Sequence, residues 1–335
     1  MKKMLTFDSF TLVPTYSDIS SRSEVDVSVT IDKTSSMLPI MNANMLSICT
    51  PEMISKLSNK FNTFSSYHRF FHSIDNRKET LSNIKQNLTN KDLFFVSIGT
   101  KPEEYGFIDW LVESGFKSII IDVNHGHHKM VSDILSHIKK NYGNYFTIMA
   151  GNVSSIDGIK FLKDNGSDII KIGNSFGFSC TTIKATGVGV HPIHTAKEYR
   201  DNTNDWETKL CIDGGLRDVS DIAKALIWGD FVMLGKMLAG STESYGRIIQ
   251  DNHGGVYGGK FKEYFGNASI KTKQVIDGEN HVKHIEGTTK LVPHIGPISI
   301  TLSEIQQGLQ SALSFMGTRT LVQYKAIAKN QILMV

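Results

Sequence analysis

Eight short runs of β-branched and other apolar residues, recurring about every 20 to 40 residues with amphipathic segments between them, predict an α/β chain folded as a (β/α)8 TIM barrel. In chain order the runs are Met37–Met41, Thr63–Tyr67, Phe94–Ile98, Ser118–Asp122, Phe146–Ala150, Ile169–Ile172, Lys209–Asp213 and Phe231–Leu234. Each is four or five residues long, the length of a buried parallel strand rather than of a helix. The intervening segments, such as HHKMVSDILSHIKKNYG (127–143) and SIDGIKFLKDNG (155–166), are amphipathic and end at a glycine, as helices tend to. An open doubly wound sheet would leave two or three of these strands unplaced.

At 335 residues, 40% hydrophobic and 21% charged, the chain is long enough to bury most of the surface its unfolded form exposes. Cys49, Cys180 and Cys211 are odd in number and widely spaced, which predicts reduced thiols and a cytoplasmic setting rather than a disulfide scaffold. The start, MKKMLTFDSF, has two lysines but no apolar run after them, and nothing later approaches the roughly 20 apolar residues of a membrane span. A net charge of +3 without a basic block gives no footprint for nucleic acid.

Two regions break the strand–helix rhythm, and long irregular loops in a barrel usually carry function. GNSFGFSCTTIKATGVGV (173–190), after the sixth run, sets Cys180 in a glycine-rich loop that can wrap a ligand. The stretch from about Ser241 to Ser299 is rich in Gly, Lys and His and poor in helical periodicity, yet Tyr257, Phe261, Tyr264 and Phe265 give it aromatic anchors. It reads as a flap over the barrel mouth, inserted after strand 8 and followed by a helical tail over Leu302–Lys329. The whole, 1–335, is expected to be one catalytic barrel with no regulatory insert.

The seventh and eighth strands end in CIDGGL (211–216) and VMLGKMLAG (232–240). In barrels these two loops commonly form a phosphate site, because glycine lets backbone N–H groups approach the anion. Asp213 would repel a phosphate, so its natural partner is a donor such as a ribose hydroxyl. Together the loops point to a nucleoside monophosphate.

The chain resembles the IMP dehydrogenase and GMP reductase family, nearer its reductase branch. The resemblance rests on FDSFTLVP (7–14), YHRFF (67–71), IGT (98–100), IDVNHGH (121–127), IMAGNV (148–153), KIGNSFGFSCTT (171–182), TGVGV (186–190), IDGG (212–215), DFVMLGKMLAGSTES (230–244), YFGNAS (264–269) and EGTTKLVP (286–293). These pieces follow family order over nearly the whole chain.

The resemblance implies NADPH-dependent reductive deamination of GMP to IMP and ammonia. The Cys180 thiolate would add to carbon 2 of the purine, splitting one hard substitution into two easier steps. Thr182 and Glu286 would form the relay that protonates the leaving nitrogen. Substrate would be held by Ser179, Asp213, Gly214, Gly215, Gly235, Lys236, Gly266, Asn267, Ser269 and Lys283, and the cofactor by Arg69, Thr100, Asp122, Asn124 and Asn152. Carbonyls of Gly173, Gly177 and Cys180 would hold a potassium ion, and the barrels of this family associate as homotetramers.

Several positions depart from the family pattern. Phe178 stands where a serine is usual, with Ser179 after it; Ser175 replaces a loop glycine; Lys236 replaces the second glycine of LGG; His125 stands where asparagine is common. Two other readings stay open on these residues: an IMP dehydrogenase lacking the regulatory domain, and a purine nucleotide-binding barrel without catalysis.

Overall fold

The computed structural model describes residues 3–250, 259–277 and 287–335. Its centre is an eight-stranded parallel sheet of β1 (Ile40–Asn42), β2 (Ser65–Tyr67), β3 (Phe94–Ile98), β4 (Ser118–Asp122), β5 (Thr147–Val153), β6 (Ile169–Ile172), β7 (Lys209–Asp213) and β8 (Phe231–Leu234). Successive strands pair from β2 through β8, and β8 pairs with β1. The last gap, between β1 and β2, is closed by one backbone bridge, Met41 to Phe64, and by a side chain. Asn42 accepts from the Ser66 N–H at 2.8 Å and donates to the Ser66 carbonyl at 2.9 Å, so its amide stands in for missing ladder bonds.

All eight expected strands are present. The first two start later than their apolar runs, at Ile40 and Ser65, and β5 runs on to Val153. Helices cover the outside, among them Ile74–Gln86, Glu103–Glu113, Lys129–Tyr142, Ile156–Asp164, Pro192–Thr203 and Val219–Ala225. Their starts are set locally: Ser73, Ser155 and Asp218 each accept an N–H from the residue three positions on.

Alternation along the strands divides the barrel interior into levels. Met41, Phe95, Ile120, Met149, Ile169, Cys211, Phe231 and Met233 form an apolar plug, all at most 2% exposed. Two residues further along their strands, above Ile120, Ile169 and Cys211, stand Asp122, Lys171 and Asp213. The floor of the barrel is therefore oily and its mouth is charged.

The described parts of the region after β8 hold more regular structure than their composition predicts. Ile249–Gln250, Lys260–Phe265 and Thr289–Pro293 form an antiparallel three-stranded sheet, and Ile270–Asp277 is a helix. Ser269 starts that helix by accepting from the Thr272 N–H, a cap that periodicity does not reveal. Tyr264 and Phe265 are buried, whereas the proposed anchor Tyr257 lies outside the described residues. The Lys262 ammonium, 1% exposed, is satisfied by three carbonyls, those of Ser241, Thr242 and Ser244, which pins this sheet to the loop after β8. The tail is two helices, Ile298–Phe315 and Leu321–Ala328, and Lys325 joins it to the barrel through Asp230 at 2.7 Å. Among the described residues no helix is long and apolar enough to cross a membrane.

Candidate active site

A cleft of about 350 Å³ opens at the C-terminal ends of the strands, the end at which barrel enzymes build their sites. Sixteen of the predicted residues line it: Arg69, Asp122, Asn124, Asn152, Gly173, Gly177, Ser179, Cys180, Thr182, Asp213, Gly214, Gly215, Gly235, Lys236, Gly266 and Asn267. Thr100 and Ser269 do not; the Ser269 hydroxyl is turned to its helix cap. Lys283 and Glu286 lie outside the described residues.

The three thiols divide cleanly. Cys49 and Cys211 are buried, and burial pushes both thiols well up from their ordinary range. Cys180 is half-buried on the cleft wall, its Sγ donating to Thr182 Oγ1 at 3.2 Å. The loop that carries it is tied back on itself, Cys180 N–H to Gly177 O at 2.9 Å. It is also clamped from above: Gly287 bridges both Cys180 and Ser269, and the Thr288 N–H donates to Ser179 O at 2.9 Å.

Glycine is required at Gly173 of this wall and favoured at Gly235. Gly173 has φ +143°, and a Cβ there would lie 1.8 Å from the Asp213 carbonyl oxygen. At Gly235 a Cβ would stand 2.6 Å from the Tyr264 hydroxyl, which closes over the end of β8. Ser175 has φ +75°, so the serine occupies the left-handed conformation that glycine takes at least cost. Two of the other departures meet: the Phe178 ring lies 4.3 Å from the Lys236 ammonium, and 4.1 Å from that of Lys290. Lys236 is thus partly engaged by an aromatic face.

Charge concentrates on the cleft floor. Lys171, 2% exposed, donates to Asp122 Oδ1 at 2.8 Å and to Asp213 Oδ2 at 3.4 Å. Asn152 also donates to Asp213 Oδ2, at 2.8 Å, and Arg69 Nε lies 3.9 Å from Asp122 Oδ2. Burial pushes the Asp122 carboxyl up, but Lys171 and Arg69 outweigh it and hold it below the usual carboxylate range. Burial likewise pushes the Lys171 ammonium down, and the Asp122 and Asp213 carboxylates more than reverse that. Among the described residues nothing bonds to Asp213 Oδ1, so one carboxylate oxygen remains for a ligand donor.

Sequence reasoning missed Lys171. The available signal was a single lysine inside an otherwise apolar strand run, IIKI. Asn174 was missed as well; among the described residues its buried Oδ1 has no partner, while its Nδ2 bonds the Asn124 carbonyl. The Arg69 side chain, 30% exposed on the same cleft, offers a cation to an incoming group. A cation there fits the phosphates of a dinucleotide. The carbonyls proposed for potassium are less available. Gly173 O already accepts from Asn152 at 2.5 Å, and Gly177 O from the Cys180 N–H.

Comparison with known proteins identifies the family. The family model described as the IMP dehydrogenase / GMP reductase domain matches residues 4–333. The chain is 35% identical to a GMP reductase of Oceanobacillus iheyensis and 36% identical to one of Lysinibacillus sphaericus, each over 99% of this chain and 98% of the relative. It is 36% identical to a GMP reductase of Streptococcus pyogenes, over 97% of this chain and 95% of the relative. A match of this length, with a thiol, a carboxylate and glycine turns gathered on one barrel mouth, means that the chain belongs to the IMP dehydrogenase / GMP reductase family.

Proposed function

We propose that the chain is a GMP reductase, converting GMP to IMP and ammonia at the expense of NADPH. The observation that carries the reading is the pairing of Cys180 with Thr182 on the wall of a cleft whose floor presents the open oxygen of Asp213. The glycine turns Gly214–Gly215 and Gly235 receive the phosphate through backbone N–H groups, with Lys236 adding charge. Asp213 Oδ1 accepts from a ribose hydroxyl, and the ring then lies against the Cys180 loop.

Cys180, as thiolate, bonds to carbon 2 of the purine, and the electron pair moves onto the ring. The 2-amino group leaves as ammonia once it is protonated, with Thr182 and Glu286 as the proposed relay. NADPH, when held by the cofactor side of the cleft, would supply the hydride that carbon 2 takes up. The carbon–sulfur bond then breaks, the electron pair returns to Cys180, and IMP departs. Arg69, Asp122, Asn124 and Asn152 hold the cofactor side of the cleft in this proposal. No step depends on a potassium ion, whose proposed ligands are partly engaged inside the loop.

Assembly as a homotetramer and a cytoplasmic location belong to the same proposal. The test is direct: purified protein with GMP and NADPH, followed by loss of reduced-nicotinamide absorbance and by ammonia release, beside IMP with NAD. GMP-dependent oxidation with stoichiometric ammonia supports the reductase. Turnover only with IMP and NAD replaces it by a dehydrogenase, and binding without turnover by a nucleotide-binding barrel.

A further inference from the structure

We propose that Lys171 is a positioning residue that locks the two cleft-floor carboxylates, Asp122 and Asp213, into one ion-paired unit, and so aims the free oxygen of Asp213 at the nucleotide's sugar. The inference rests on the GMP reading. Lys171 projects from β6 and reaches Asp122 at the end of β4 and Asp213 at the end of β7, so one side chain ties strand ends from different parts of the mouth. Its room is reserved by Gly151 on β5, where a Cβ would come within 2.6 Å of the lysine Cβ and 2.4 Å of its carbonyl oxygen. The pair is asymmetric. Asp122 takes the short contact at 2.8 Å, while Asp213 takes the longer one at 3.4 Å and shares its Oδ2 with Asn152. Asp213 is thus held by one oxygen and open by the other, the arrangement of an acceptor prepared for a donor.

The charges around the pair make the lysine necessary. Two acidic groups face each other across it, and the other groups near them among the described residues include Arg69 beside Asp122, the buried thiols of Cys211 and Cys49, the buried phenol of Tyr264 toward Asp213, and the neutral amides of Asn44 and Asn152. Lys171 lies between the two carboxylates and offsets their mutual repulsion. Without it, Arg69 serves Asp122 only, and that repulsion is left uncompensated. An Asp213 turned away from its neighbour no longer presents its free oxygen to the sugar.

The experiment measures GMP binding by calorimetry on the full-length chain, wild type and Lys171→Met, between pH 5.5 and 8. The ratio of dissociation constants is taken at each pH, so that the phosphate's own ionisation cancels. The expected ratio is about 10 to 100 at every pH, the worth of one charge-assisted hydrogen bond. A second variant, Lys171→Met with Asp122→Asn, removes the competing carboxylate and should return the ratio to within about threefold of one. A ratio unrelieved by Asp122→Asn means that Lys171 acts only in packing and overturns the inference. Should Lys171→Met not fold, the double variant and the single Asp122→Asn are compared, and GMP binding lost only in the double variant overturns it equally. Failure of the wild type to bind GMP at all would instead remove the functional reading.

Discussion

Replacing Asp213 by alanine tests where the sugar sits, and the structure sets the size of the effect. Of the two carboxylate oxygens, Oδ2 is held by Asn152 at 2.8 Å and by Lys171 at 3.4 Å, so only Oδ1 is left for the ligand. One charge-assisted hydrogen bond is worth about 1.5–3 kcal/mol, or roughly a 10- to 150-fold rise in the GMP Michaelis constant. The fold should survive, because Lys171 keeps Asp122 at 2.8 Å and is not left as an unpaired buried charge. The assay is steady-state turnover with GMP and with its 2′,3′-dideoxy analogue, which has no hydroxyl to donate. Wild type should prefer GMP by the same factor that the substitution costs, and Asp213→Ala should treat the two nearly alike. An unchanged Michaelis constant, or an equal loss with both nucleotides, refutes the placement of the sugar on Asp213.

Cys180→Ala should abolish turnover while GMP binding stays within a few-fold of wild type, since phosphate and sugar contacts lie elsewhere; appreciable residual turnover would remove the covalent step. A thiol-alkylating reagent should label Cys180 first and be blocked by GMP, because Cys49 and Cys211 are buried; mass spectrometry of the labelled peptides reads this. Gly173→Ala should cost at least about 3 kcal/mol in chemical denaturation, since a Cβ at φ +143° would collide with the Asp213 carbonyl; an unaltered midpoint would mean that the loop folds differently. Acid should destabilise the protein through His191. Burial lowers its folded-state value to about 4, so the unfolded chain binds the extra proton: stability from this group is full above pH 6.5 and falls as pH drops, by roughly 3 kcal/mol at pH 4. His191→Phe, placed between the rings of Phe7 and Phe176, should flatten that part of the pH–stability curve; a curve of unchanged slope would refute it.

The barrel itself was legible because its signal is local. Each strand of a parallel sheet is buried on both faces, so it must be a continuous apolar run, and a run such as Phe94–Ile98 or Phe231–Leu234 marks its own position. Cys180 was legible for a similar reason, as a thiol placed among glycines rather than among core residues. The glycine turns after β7 and β8, with Asp213 beside them, were legible by composition as parts of the cleft wall. Ends were less certain than centres: β1 and β2 begin inside their apolar runs because closure there passes from the ladder to the Asn42 amide.

What only the tertiary structure decided is which distant groups meet. Lys171 finds Asp122 and Asp213, 49 and 42 residues away, because a closed barrel brings strand ends to one mouth and alternation turns their last inward side chains to the same level. No periodicity encodes that meeting. The helix at Ile270–Asp277, the carbonyl cage around Lys262 and the pairing of Gly287 with Cys180 belong to the same class. Hydrophobic pattern is written residue by residue along the chain, whereas a charge on the cleft floor acquires its partners, and its ionisation, from strands the sequence places far apart.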